Sequence, residues 1–201
     1  MSQRKRYLQL VLLSVAVILG VLGCLAFLKF RNSVRVSPSK EYSVDEQVVL
    51  YRQDNEEWAD NKLGESTYSM AGSGCLVSCI ASAVSNEGNV ITPGELNIIF
   101  SENNVYDAEG NIQWGQILAM SGYQVEVFET PSNDCIEECL NDGKYPIVRV
   151  RMRGVGNFHY VLIVGTKDDA YICMDPLEDE LTALSQYGNR IYAVRCVWKE
   201  R

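Results

Sequence analysis

Three patterns of apolar and polar residues follow one another along this chain. From Tyr7 to Leu28 (YLQLVLLSVAVILGVLGCLAFL) there are 22 residues without a charge, polar only at Gln9 and Ser14. A soluble core helix of that length would show a polar stripe. At 1.5 Å per residue it reaches roughly 33 Å, which matches the ~30 Å hydrocarbon core of a bilayer. Residues 29–45 are polar, carry Ser37-Pro38, and read as a linker. Helical spacing comes next. Cys75–Ser85 is apolar at 76, 77, 80, 81 and 84, the recurrence of one helix face. Thr92-Pro93-Gly94-Glu95 predicts a second start, with Thr92 as N-cap, Pro93 in the first turn and Glu95 closing a capping box. Shorter helices are predicted over Ile112–Ser121 and from Ser132 or Asn133 to Leu140.

Strand patterns dominate the remainder. Tyr123–Phe128 alternates in character, and Pro146–Arg153 sets Val148, Val150 and Met152 against three arginines. His159–Gly165 is a nearly continuous apolar run, as a central buried strand would be. Ala170–Met174 and Ile191–Trp198 complete the set. The turn Thr166-Lys167-Asp168-Asp169 predicts an antiparallel hairpin between His159–Gly165 and Ala170–Asp175. Helices followed by a strand meander make an α+β domain over 46–201. It follows a basic tail (1–6), a membrane-spanning helix (7–28) and the linker.

Charge narrows the function. The chain of 201 residues carries 18 Lys or Arg and 26 Asp or Glu. Seven of the basic residues and none of the acidic ones lie in 1–40, so residues 41–201 carry a net −15. A body that acidic repels phosphate backbones, which argues against nucleic acid as a partner. No glycine-rich phosphate loop of the Walker or dinucleotide type occurs. Histidine occurs once, at His159, which excludes a metal centre built on two or three imidazoles. Neither cofactor nor metal is expected. Around the apolar run, Arg4, Lys5 and Arg6 nearly balance Lys29, Arg31, Arg35 and Lys40. The short N-terminal tail is the part expected to stay inside, which places the body outside the cell membrane. A cleaved signal is the rival reading, but its apolar region usually spans only about 7–15 residues. Val21-Leu22-Gly23-Cys24 resembles a lipobox, yet the apolar run continues past Cys24.

Candidate chemistry gathers on few residues. A thiol nucleophile needs a helix N-terminus to stabilise its thiolate, an imidazole to take its proton, and an acceptor to orient that imidazole. Cys75 opens a helix after Gly72-Ser73-Gly74. A hairpin turn centred on or just after Lys167 would set His159 opposite Asp175 or Pro176, at one end of the sheet. Gln53, about twenty residues before the cysteine, is a candidate side-chain amide for an oxyanion.

Together, Gln53-Asp54 with Trp58-Ala59, Ser73-Gly74-Cys75, Thr92-Pro93, His159-Tyr160-Val161 and Asp175-Pro176 resemble the bacterial peptidase C39-like family. These are papain-clan cysteine peptidase-like domains related to the double-glycine leader peptidases that process bacteriocins. The resemblance covers about residues 48–198. It implies a papain-like fold, with a helical part carrying Cys75 and an antiparallel sheet carrying His159 and Asp175. It also implies a thiol peptidase acting on a peptide or protein substrate, with Gln53 as oxyanion donor. The glycine that often follows the cysteine in leader peptidases is Leu76 here, and the gap from Gln53 to Cys75 is longer than in papain. No nucleotide-binding motif follows, so an exporter's peptidase part is not expected.

Other classes remain in view. Cys75/Cys79 and Cys135/Cys139 could together hold a structural zinc, although both pairs fall within helices rather than in C-x₂-C turns. An inactive papain-like module binding peptides or cell-wall material, or a transglutaminase- or amidase-like use of the same triad, would look alike at this level. Disulfides are open to Cys135/Cys139 or Cys173/Cys196. Arg149, Arg151 and Arg153 read either as a charge-selective face or as a solvated edge. For the anchor, full-length protein is expected to stay with membranes through carbonate or high-salt washing, with the body open to protease on intact cells. Release by either wash would sink the anchor.

Overall fold

The computed structural model describes residues 3–200, which divide into two compact units at Ser33 and Val34. The first is a single helix, α1 (Gln3–Phe30), whose backbone runs unbroken through Arg4, Lys5 and Arg6 of the basic tail and through Cys24. Met1 and Ser2 of that tail lie outside the described residues. The stretch Val11–Phe30 is long and apolar enough to cross a membrane.

The second unit is mixed helix and sheet. In chain order it holds β1 (Val34–Arg35), α2 (Met70–Ser73), α3 (Cys75–Asn86), α4 (Pro93–Glu102), α5 (Trp114–Ala119), β2 (Tyr123–Val127), α6 (Asn133–Asn141) and β3 (Pro146–Arg151). Then come β4 (Phe158–Lys167), β5 (Ala170–Met174), β6 (Thr182–Ala183), β7 (Arg190–Ile191) and β8 (Ala193–Lys199). Short 3₁₀ turns lie at Met152–Gly154 and Leu184–Tyr187. Six strands form one antiparallel sheet, ordered β2-β8-β3-β4-β5-β6. Ile147, Leu162, Val164 and Met174 pack with Val77, Ile80, Leu96, Phe100 and Ile117 of α3, α4 and α5. Val148, Val150, Val161, Ile163 and Cys173 pack on the other face with Ile136 of α6, Leu184 and Tyr187. Burial on both faces is why β4 reads as an unbroken apolar run.

The helix starts follow the local chemistry. Glu95 N donates to Thr92 Oγ1 at 3.2 Å and Thr92 N to Glu95 Oε2 at 2.8 Å, completing the capping box of α4. Ser132 caps α6 by accepting from Cys135 N at 3.2 Å.

Tertiary packing changes three of the expectations. The stretch expected to be a linker is built into the body from Val34 onward. There β1 pairs with β7, Val36 is buried, and Ser39 and Lys40 bond Glu137 and Asn141 of α6. Tyr42 N donates to Thr166 Oγ1 at 2.7 Å and Thr166 N to Tyr42 O at 2.8 Å. This strap crosses β4 at Gly165 (φ +150°), where a Cβ would come within 2.9 Å of the carbonyl oxygens of Tyr42 and Ser43. Polar composition concealed it, because the strap is held by main-chain and polar side-chain hydrogen bonds to residues far along the chain.

In the hairpin, the turn falls on Asp168 and Asp169, at φ +51° and +59°, the primed geometry that suits strand twist. A register shift follows between Ile163 and Gly165, so Leu162 pairs with Met174 and His159 is not opposite Asp175 or Pro176. Finally, β3 ends at Arg151. Met152 and Arg153 leave the strand in a 3₁₀ turn, with Arg153 at φ +50°.

A disulfide joins Cys139 of α6 to Cys196 of β8, leaving Cys135 and Cys173 as free thiols. Neither pairing raised from the sequence forms, since α6 docks against β8 and brings together cysteines separated by 57 positions. Replacing both by Ala should cost about 2–4 kcal/mol in denaturant unfolding. Peptide mapping without reductant should recover the cross-linked pair, and finding both thiols free would refute it.

Candidate active site

Cys75 is the first residue of α3, which α2 enters through Gly74. Gly74 N donates to Met70 O at 2.7 Å, and a Cβ at Gly74 would sit 2.5 Å from that oxygen. Only glycine fits the junction. The close approach there is to Met70 rather than to a substrate chain. Cys75 is half-buried with a free thiol, beside the first N–H groups of a twelve-residue helix, whose dipole favours negative charge. Cys79, one turn on, is fully buried, and its thiol meets Tyr160 O at 3.4 Å. Burial, reinforced by neighbouring Cys75, pushes the Cys79 thiol well above its ordinary pKa.

His159 lies near the start of β4 and is buried. Its Nε2 is 2.6 Å from Asp175 Oδ1, and the Cys75 thiol is the other side chain that acts on its titration. With Nε2 taken by the carboxylate, Nδ1 is the nitrogen left for sulfur. The register explains the reach. Continuing past Leu162–Met174, Asp175 stands across from Val161 and diagonal to His159, a separation an imidazole can span.

Asp175 is also buried, and its carboxylate is fully engaged. Oδ1 accepts from His159 and from Leu177 N at 2.9 Å, and Oδ2 accepts from the hydroxyl of Tyr187. Burial alone would raise its pKa, but the hydrogen bond and charge of His159, helped by Tyr187 and Leu177 N, hold it below the usual carboxylate range. For His159, burial disfavours the charged ring. The hydrogen bonds to Asp175 and Cys75, with their negative charge, outweigh it and raise the pKa to about 9. The ring is therefore charged at neutral pH, and both nitrogens donate.

Gln53 ties the halves of this arrangement together. Its main-chain N–H donates to Pro176 O at 2.9 Å, next to Asp175, and its Nε2 donates to Ala71 O at 2.6 Å, four residues before Cys75. One amide hydrogen remains for an oxyanion, and Oε1 is buried without a protein partner. The structure thus brings Cys75, His159 and Asp175 together, with Gln53 bonded to the segments that carry Cys75 and Asp175. Tyr187 went unrecognised in the sequence. It lies in a short polar stretch, and no local pattern links it to Asp175.

Beside Cys75 runs a cleft of about 440 Å³, walled by Tyr68, Leu76, Tyr106, Trp114 and Tyr160 with Glu109 among them. Among the described residues no group of three or more His, Cys, Asp or Glu side chains is placed to hold a metal ion. The four thiols of a zinc module are not gathered either, because Cys139 is bonded to Cys196. No protein-family model matches this chain, and no curated protein is similar to it in sequence.

Proton linkage gives a test of this geometry. The folded pKa of His159 is raised from 6.5 to about 9, so its stabilising contribution is complete below pH 6.5 and lost as pH rises through about 9. The stability gap between wild type and His159→Ala, measured by denaturant unfolding in detergent, should shrink across that interval. A gap independent of pH would contradict the placement of His159.

Proposed function

We propose that this chain is a membrane-anchored cysteine peptidase with a papain-like catalytic arrangement and a body on the outer side of the membrane. One observation carries the reading. The only histidine bonds a buried aspartate, and its charge responds to a free thiol in the first turn of a helix, at the edge of a cleft. The resemblance to the C39-like family supports the same assignment, residue for residue. Helix α1 supports the anchor, and the Cys139–Cys196 bond fits an oxidising compartment.

In this mechanism the Cys75 thiolate attacks the peptide carbonyl carbon. The Cys75 main-chain N–H and the second amide hydrogen of Gln53 hold the oxyanion. His159 then protonates the departing amine, and later takes a proton from the water that hydrolyses the thioester. Asp175, steadied by Tyr187, orients the ring.

A variant series on one peptide pool, with folding checked for each protein, tests the reading. His159→Ala should abolish turnover, since no second imidazole exists. Asp175→Asn should be milder than Asp175→Ala, because an amide still orients the ring. Gln53→Ala should cost on the order of 10²–10³ in turnover. A thiol-directed peptide inhibitor should label Cys75 ahead of Cys79 and Cys135. Undiminished turnover in His159→Ala would end the peptidase reading and leave the binding module in its place.

A further inference from the structure

The arginines of β3 play no part in the chemistry above. On the sheet face that α3 covers, Arg149 of β3 stands beside Tyr160 of β4, and Arg195 of β8 lies one step along the same face. Arg149 faces Tyr160 across the β3–β4 pair, its charge acts on the Tyr160 hydroxyl, and its guanidinium stacks 4.3 Å from the ring of Phe158. Arg151 stacks on the same ring at 4.1 Å, and Arg195 lies 5.6 Å from the ring of Trp114. Tyr160 and Trp114 line the cleft that holds Cys75. An arginine thus lies next to each of these two cleft-lining rings, without itself walling the cleft.

Among the described residues no carboxylate lies within 4.0 Å of Arg149, Arg151 or Arg195. Arg151 donates only to Gly156 O, and Arg195 to the carbonyls of Phe128 and Val194. The Nε of all three is buried without a protein acceptor. The arrangement is unexpected in a body with a net −15, where carboxylates are plentiful. A cation pair left open among aromatic rings in an acidic protein is what carboxylate recognition requires, because guanidinium groups bind carboxylates through paired, charge-assisted hydrogen bonds. Glu109 is the acidic residue along the cleft wall and disfavours a second negative group there.

We infer that the Tyr160–Trp114 end of the cleft is a carboxylate-binding subsite, in which Arg149 and Arg195 select substrates carrying an acidic side chain or a free C-terminus near the scissile bond. The inference rests on this cleft being the substrate cleft of the proposed peptidase. It is tested without catalysis, on full-length Cys75→Ala protein in detergent micelles. Dye-labelled peptides of one sequence are compared by fluorescence anisotropy, with Glu or Gln at each position in turn and with the C-terminus free or amidated.

A Glu-bearing or free-carboxylate peptide should bind on the order of tenfold tighter than its neutral counterpart. Which of the two shows the effect identifies the source of the carboxylate. Arg149→Gln and Arg195→Gln should erase the difference. Arg149→Glu should transfer the preference to a Lys-bearing peptide, a gain that misfolding cannot produce. Equal affinities for charged and neutral peptides, binding of neither, or a preference that survives both Gln variants would overturn the subsite. The two readings fail separately. Hydrolysis by wild type without charge preference retains the peptidase and removes the subsite, whereas charge preference without hydrolysis does the reverse.

Discussion

The hydrogen bond between His159 Nε2 and Asp175 Oδ1 is the contact on which the rest of the body converges. A buried carboxylate is costly unless its oxygens are satisfied, and Asp175 meets that demand with three donors from three segments. His159 comes from β4, Leu177 N from the turn after β5, and Tyr187 from the 3₁₀ turn before β7. Gln53 fastens a fourth segment to the neighbouring Pro176 carbonyl and then reaches α2. The same bond, together with Cys75, outweighs the burial that would favour the neutral imidazole.

Placement of the thiol depends on a different constraint, close packing at the start of α3. Gly74 lets the chain turn from α2 into α3 against Met70 with no room for a side chain. Val77, Ile80 and Val84 then bury one face of the helix against the sheet. That packing fixes the helix along its length. Cys79 is held against β4 at Tyr160, and Cys75, one turn earlier, is left at the open end beside His159. Two cysteines in one helix thus differ in accessibility because one is packed and the other is not.

Electrostatics divides the molecule unevenly. Most of the body is acidic, and the half-buried Arg52 is paired with Asp54 and Asp179. Arg149, Arg151 and Arg195 are instead stacked on rings, which are good neighbours for a guanidinium but leave each Nε without an acceptor. Unmet buried donors are costly, so a cluster of them beside a cleft suits ligand recognition better than it suits stability. The proposed peptidase would then combine a general nucleophile with a charge-selective wall.

Much of this was legible in the chain. The long uncharged run, the helix over Cys75–Asn86, the capping box at Thr92 and Glu95, the hairpin and the α+β class follow from local periodicity and local side-chain to main-chain bonds. So does the short list of residues able to do thiol chemistry, because a single histidine leaves little choice. What is settled by groups distant in sequence was not legible. The strap over 34–44 is held by main-chain and polar side-chain bonds to partners far along the chain, and the Cys139–Cys196 pairing depends on how α6 docks on β8. The hairpin register turned on a two-residue turn and a bulge, so His159 meets Asp175 diagonally rather than directly across. Tyr187 joins Asp175, and Arg195 joins Arg149, only because the sheet and its turns bring them side by side. The sequence by itself determined which residues are able to support thiol chemistry, since that is a matter of side-chain type. Only the tertiary structure decided which of them meet, since burial and register are properties of the packed chain.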